Sequence, residues 1–278
     1  MNHLYRYLSE PRPQGRVLVR FAPHRPGSEP RRFLADSRRF FAEPRPRGSG
    51  FALLAFLCLL PAAPAQTGFP FQNESLHYTI NYSSGLSLGD ANLSAHKTAK
   101  GWDFTVSLDA AVAGFSLKDK YTASMEGAYC STQFTRDTIH ASKSNKEKTT
   151  FDQEKQTARR QTEFPSDGGY SDLSTGACGR DAISFLYFAR KELGQGRVPP
   201  PQVVYFGSPY TVSQAYTGAQ NITLADKKPE LTDRLVFTVK GPKSEFTVEV
   251  FYARDAARTP LLIKIPQAVG TLSMELVR

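Results

Sequence analysis

Cysteine and histidine are scarce in these 278 residues, with three of the first and five of the second. Three cysteines exclude a multi-bridge disulfide scaffold and the paired C-x-x-C units of a zinc domain. Only His77, His96 and His140 follow residue 65, each in a stretch that reads as strand, with no H-E-x-x-H or other ligand cluster around them. No G-x-S-x-G elbow, G-x-x-x-x-G-K-[ST] loop or G-x-G-x-x-G turn stands at a strand-to-helix junction. That removes the commonest hydrolase, nucleotidase and dinucleotide signatures. Two carboxylates converging in space would leave no such mark, so an enzyme acting on envelope polymers is kept as the third reading. No cofactor is implied. Long apolar runs are missing as well. The longest, Phe51–Leu60, has ten residues, where a bilayer-crossing helix needs roughly 20.

That short run is nonetheless the most telling segment. It leads into Ala63-Pro64-Ala65, the small-x-small pattern that signal peptidase cuts, and its length suits the core of a secretory signal. Ala63 and Ala65 are the predicted cleavage residues. The working domain then starts near Gln66, and the protein is exported to the periplasm, the cell envelope or beyond. Ahead of the run lies a leader, residues 1–50, rich in arginine and proline and free of lysine. It is longer than an ordinary n-region. One reading makes its first part, to about residue 33, a translated upstream region ahead of the true start. Another takes Ser37-Arg38-Arg39-Phe40-Phe41 as a twin-arginine signal, although the polar spacer Glu43–Gly50 separates it from the apolar run. Leu57, before Cys58, is too bulky for a lipoprotein-anchor motif.

Charge divides at the same place. The chain carries 35 Lys+Arg and 26 Asp+Glu, a formal +9. Residues 1–65 hold 11 arginines and four acids, so 24 basic and 22 acidic groups remain, a net +2. Nucleic-acid binding needs concentrated basic charge, and the domain after Ala65 has none. Removal of Cys58 with the leader leaves Cys130 and Cys178. Two cysteines in an exported domain favour one disulfide, the alternative being two buried free thiols. Residues 66–278 suit a single domain, with no further segment able to span a membrane.

Period-two alternation dominates that domain. Leu76, Tyr78, Ile80 and Tyr82 alternate with polar neighbours, as do Trp102, Phe104, Val106 and Leu108. Phe115–Met125 adds a strand with Leu117, Tyr121, Ala123 and Met125 inward, and Gly89 and Asp90 mark a turn or bulge. Residues 135–163 keep strand-like threonines among mixed charges, including Lys146, Glu147, Asp152, Arg159 and Arg160. They read as hairpins kept soluble by charge. Residues 166–175 read as a loop around Tyr170. Strand signals return from Val203 to Val277. The predicted fold is mainly β, a single antiparallel curved sheet or half-barrel of about 11–13 strands. One helix, over about residues 181–193, stands apart. Asp181 is its N-cap, Arg190 and Lys191 suit the C-terminal end of its dipole, and Gly194 stops it. Apolar residues cover nearly its whole circumference, which implies burial on most sides and a sheet wrapped around it.

Several segments together resemble a bacterial envelope family known only as domain-of-unknown-function family 3108. They are the strand Leu76-His77-Tyr78-Thr79-Ile80, the turn Gly85-Leu86-Ser87-Leu88-Gly89 and the segment Thr150-Phe151-Asp152. The helix from Asp181 to Arg190 follows, then Arg258-Thr259-Pro260-Leu261 and the closing Gly270-Thr271-Leu272. The resemblance covers about residues 74–278 and implies an exported, mostly antiparallel β protein of unsettled role, with no catalytic residues to carry over. The Cys130/Cys178 pair is a departure from the family pattern. A curved sheet enclosing an apolar helix is also similar to lipoprotein-carrier proteins of the periplasm, an analogy of fold alone.

Aromatic residues supply the remaining candidates. Trp102, Tyr121 and Tyr187 are the predicted wall of a cavity for an apolar or amphiphilic envelope ligand, possible in a barrel of this strand number, and Arg190 is the predicted head-group contact. The competing assignment is an ordinary core, with Arg190 capping carbonyls or paired with an acid such as Asp181. The leading expectation is a non-enzymatic exported protein binding a lipid or other apolar envelope component. The alternative is a structural or interaction protein of the envelope that adds a partner's strand to an exposed sheet edge.

Overall fold

The computed structural model describes residues 68–278 apart from 113–114, 166–167, 243 and 268–269. The leader, the apolar run and the cleavage residues Ala63 and Ala65 lie outside the described residues. The alternating sequence forms β1 (Glu74–Tyr82), β2 (Ser87–Lys97), β3 (Gly101–Val112), β4 (Phe115–Glu126), β5 (Cys130–His140), β6 (Lys143–Asp152), β7 (Thr157–Phe164) and β8 (Tyr170–Ser174). A short β9 (Arg180–Asp181) enters α1 (Ala182–Gly194). The chain then forms β10 (Gln202–Phe206), β11 (Ser208–Thr223), β12 (Pro229–Lys240), β13 (Glu245–Ala253), β14 (Pro260–Gln267) and β15 (Gly270–Leu276).

All fifteen strands belong to one sheet, ordered β8-β7-β6-β5-β4-β3-β2-β1-β15-β14-β13-β12-β11-β10-β9. Two meanders therefore meet where β1 pairs with β15, and among the described residues the one parallel match is the two-residue pairing of β9 with β10. The curved, mainly β architecture is the expected one. The strand number exceeds the predicted 11–13 for two reasons. Tyr170–Ser174, read as loop, pairs with β7 as β8, and two residues of β9 are too few to display a period.

Register converts alternation into rows on the concave face. Ala95, Phe104, Ala123 and Phe134 lie side by side across β2–β5, each no more than 2% exposed. Ile183 and Tyr187 of α1 join Trp102, Phe104 and Phe151 on this wall. On its other side α1 presents Phe185, Ala189 and Leu193 to Leu235, Phe237, Val250 and Tyr252. Two halves of one sheet thus cover two sides of the helix, while Leu186 remains 42% exposed. Phe251, which breaks the alternation of β13, points to the opposite face, where Ile222, Leu224 and Leu262 cover it. At Gly89 the β1–β2 register shifts between Ile80 and Asn81. A Cβ there would stand 2.0 Å from Asp109 O, so only glycine fits.

Asp181 caps α1 as predicted. Its carboxylate accepts the N–H of Ile183 at 2.8 Å and of Ser184 at 3.0 Å. It also accepts the hydroxyls of Ser131 at 2.6 Å and Ser184 at 2.7 Å. Burial pushes its pKa above the usual carboxylate range, and these bonds oppose the shift without cancelling it. The helix stop differs from prediction. Gly194 is still helical, and the left-handed residue beyond the end is Gly196 (φ 72°), whose N–H returns to Leu193 O. That conformation, and not glycine as such, ends the helix.

Curvature brings β5–β8 opposite β9 and β10, and side chains stitch this seam. The Cys130–Cys178 disulfide crosses it, as the cysteine count predicted. Arg180 Nε donates to Tyr129 O at 2.9 Å. Gln153 and Gly179 exchange bonds of 3.0 and 2.9 Å. Tyr205 Oη donates to Ser174 O at 2.8 Å, and Arg160 Nη1 to Gly207 O at 2.6 Å.

Candidate binding site

The helix divides the interior into a closed part and an open one. Trp102, Tyr187 and Arg190, three of the four predicted ligand contacts, belong to the closed part. Phe104 stacks on Tyr187 with ring centroids 4.0 Å apart, and Phe69 meets Trp102 at 5.0 Å and Tyr187 at 4.8 Å. Burial, reinforced by the nearby Glu74 carboxylate, pushes the Tyr187 hydroxyl pKa up. Arg190 is 3% exposed. Its Nη1 and Nη2 grip Glu74 at 2.5 and 2.7 Å, and Nε donates to Ala257 O at 2.6 Å. Burial works against its charge, yet the hydrogen bonds and charge of Glu74 hold its pKa above the ordinary value. Arg190 is therefore the anchor of α1 to β1, and its acid is Glu74, not Asp181. A partner 116 residues away leaves no local mark in the sequence.

Further along the same strands the concave face stays apolar but is only partly buried. Val106 and Leu108 of β3, Leu272 and Met274 of β15 and Tyr82 of β1 belong to this region, with Val248 and Ile263 from β13 and β14. The wall is continuous across the two meanders. Leu235 and Val250, buried against α1, lead through half-buried Ile263 and Met274 to buried Ile80, successive cross-strand neighbours from β12 to β1. Ile265, Leu272 and Tyr82 form the next row.

On β4–β7 the inward face turns polar. One row runs Val106, Tyr121, Arg136, Glu147, and the next Leu108, Asp119, Thr138, Asn145. Asp119 is 6% exposed. It accepts the Tyr121 hydroxyl at 2.6 Å and contacts His140 Nε2 at 2.8 Å. Burial, then the Asp119 charge, pushes the Tyr121 hydroxyl pKa up. Tyr121, the fourth predicted contact, thus borders the open part, apart from the other three. Arg136 lies over the Phe206 ring at 5.4 Å, and that ring also meets Tyr121 at 5.2 Å and Phe134 at 5.6 Å. Next to it, Gly207 (φ +73°) admits three charged groups. A Cβ there would lie 3.2 Å from Arg136 Nη1, 3.4 Å from Glu147 Oε2 and 3.9 Å from Arg160 Nη1.

The charges of residues 135–163 were expected on solvated hairpins, and several are. Lys146, Lys155 and Arg159 pair with Glu163, Asp152 and Asp172. Arg136, Glu147 and Arg160 are the exceptions, being partly buried and turned inward. Parity carried the signal: Glu147 shares a face with buried Phe151, Arg160 with Ala158, Arg136 with Phe134 and Asp119 with Ala123. Composition hid it, because mixed charge reads as surface. Two further clefts are shallower in chemistry. One runs over the outer face past Asp90, Asp109, Lys118 and Asp137, and the other follows the seam past Thr175, Arg180 and Tyr205. Among the described residues no group of three or more His, Cys, Asp or Glu could hold a metal ion. No described helix is long and apolar enough to cross a membrane.

One antiparallel sheet, curved around a helix that fills part of its concavity, defines a β-barrel-like protein. The chain belongs to a family described as protein of unknown function (DUF3108), whose model matches residues 77–277. In fold it is similar to the crystal structure of a β-barrel-like protein of domain of unknown function DUF1849 from Brucella abortus. The TM-score is 0.54 at 8% identity, covering 73% of this chain and 95% of that one. No curated protein matches it.

Proposed function

We propose that this chain is an exported, non-enzymatic protein that holds an apolar or amphiphilic envelope component against the uncovered part of its concave sheet. One observation carries the reading: the apolar rows continue past α1, from Val106 and Leu108 to Leu272 and Met274, without being fully buried. Contiguous half-exposed apolar surface is costly in water and marks a binding face. The rim opposite is polar, which is how ligand sites orient an amphiphile. The Cys130–Cys178 disulfide supports export, since such bonds persist in oxidising compartments. Asp119, the acid nearest the trough, has both oxygens engaged by Tyr121 and His140, which fits positioning better than turnover. Strand addition draws less support, because the edge strand β8 has five residues beside the exposed Arg159–Asp172 pair, features that blunt an edge.

The test is native mass spectrometry of protein from its own host, with titration of an environment-sensitive apolar probe. Bound amphiphile and saturable probe binding are expected. Leu108→Glu and Met274→Glu should each abolish probe binding while near-UV circular dichroism stays unchanged. Absence of both bound amphiphile and probe binding in the unaltered protein would overturn the proposal.

A further inference from the structure

The inward arginines of β5 and β7 deepen that reading, on which this inference rests. We infer that Arg136 and Arg160, converging at Gly207, form the head-group site for the single phosphodiester of a two-chain phospholipid lying in the trough. The Arg136 side chain makes no hydrogen bond among the described residues, and its Nε is buried without a partner. What positions it is the Phe206 ring, over which its guanidinium lies. Its donor fork is thus fixed in place and uncommitted, the arrangement that suits bidentate binding of an oxyanion. Arg160 spends Nη1 on Gly207 O at 2.6 Å, which fixes its head group beside the first.

Charge and shape select the class of ligand. The two arginines and the Glu147 carboxylate that meet at Gly207 sum to one positive charge, complementary to a monoanionic phosphodiester and not to a phosphomonoester dianion. The register puts Arg136 two strands from Val106, about 10 Å at the usual strand spacing, so a head group on the arginines leaves its tails on the apolar wall. Its half-buried residues run over six strands, from Val248 of β13 to Val106 and Leu108 of β3, about 24 Å of arc. This is several times the width of one acyl chain and favours two.

The experiment titrates the full-length chain with a short-chain phosphatidylglycerol, the diacylglycerol of equal chain length, and the corresponding fatty acid. The phospholipid is expected to bind at least about tenfold more tightly than the diacylglycerol, the fold-change of one charged hydrogen-bonded contact. Arg136→Gln and Arg160→Gln should each erase that preference while leaving diacylglycerol affinity unchanged, which doubles as the check on folding. Arg136→Lys, keeping charge but losing the fork, should recover part of it. Equal affinity for the two lipids, or a preference that survives in the double glutamine variant, overturns the head-group site and leaves the apolar trough standing. Tighter binding of the fatty acid than of the phospholipid overturns the two-chain assignment. If no lipid binds, the trough itself falls.

Discussion

Glu74→Gln is the sharpest perturbation of this fold. Arg190 and Glu74 are 4% and 5% exposed in their side chains, and Arg190 has Tyr78, Tyr187 and Phe69 around it as well. Neutralising the acid leaves a buried guanidinium without a counter-charge and with an amide NH2 facing one of its donors, its acceptors reduced to Ala257 O and one amide oxygen. Breaking a buried pair on one side costs about 3–5 kcal/mol. For a domain of this size that is roughly 6–20 °C in Tm. Arg190→Met should cost a similar amount, because it strands the carboxylate instead. Removing both charges in Glu74→Gln/Arg190→Met should recover much of the loss, since a buried pair often contributes little net stability over an apolar replacement. Urea denaturation of all four proteins, disulfide intact, measures the cycle. Single-variant losses below about 1 kcal/mol, the range of surface pairs, would refute the burial and with it the role of Arg190 as helix anchor. A double variant as damaged as the sum of the singles would refute the pairing.

Two further outcomes follow from the seam and from a buried carboxylate of β12. Replacing Cys130 and Cys178 by serine should lower stability by up to about 4 kcal/mol, the chain-entropy figure for a loop of this length. An unchanged denaturation midpoint, or two reactive thiols in the denatured unreduced protein, would count against the bridge. Asp233 is held below the usual carboxylate pKa. Burial opposes this, but Arg254 and Tyr216 hydrogen bonds and the Arg254 and Arg258 charges prevail. Its stabilisation is therefore complete above the unfolded value of about 3.9 and is lost as pH falls through the lower folded value. Asp233→Asn should flatten that acid limb of the stability–pH curve, and a curve of unchanged slope below pH ~4 would sink the assignment.

Much of the fold was legible because β-sheet burial writes itself as parity. Tyr78, Trp102, Phe104 and Ala123 announce an inward face at every second position, and Asp181 announces a helix start by its short acceptor side chain. The site was less legible. Arg136, Glu147 and Arg160 obey the same parity as their buried neighbours, but charge overrode period in the reading. Trp102 and Tyr187 were correctly aromatic and inward, yet inward says nothing of whether a helix or a ligand fills the space. Tyr121 alone of the four candidates lies where the helix stops covering.

Alternation and capping are local, so the sequence by itself determined strands, one apolar helix and the pairing of two lone cysteines. Three matters belonged to the tertiary structure. Which acid answers Arg190 depends on β1 and α1 meeting across 116 residues. How far α1 reaches decides which apolar rows are core and which are open wall. Closure of the sheet brings Gly207 against β5, β6 and β7, and so sets two arginines beside a trough. Each is a matter of distance between segments remote in the chain, which a one-dimensional period cannot encode.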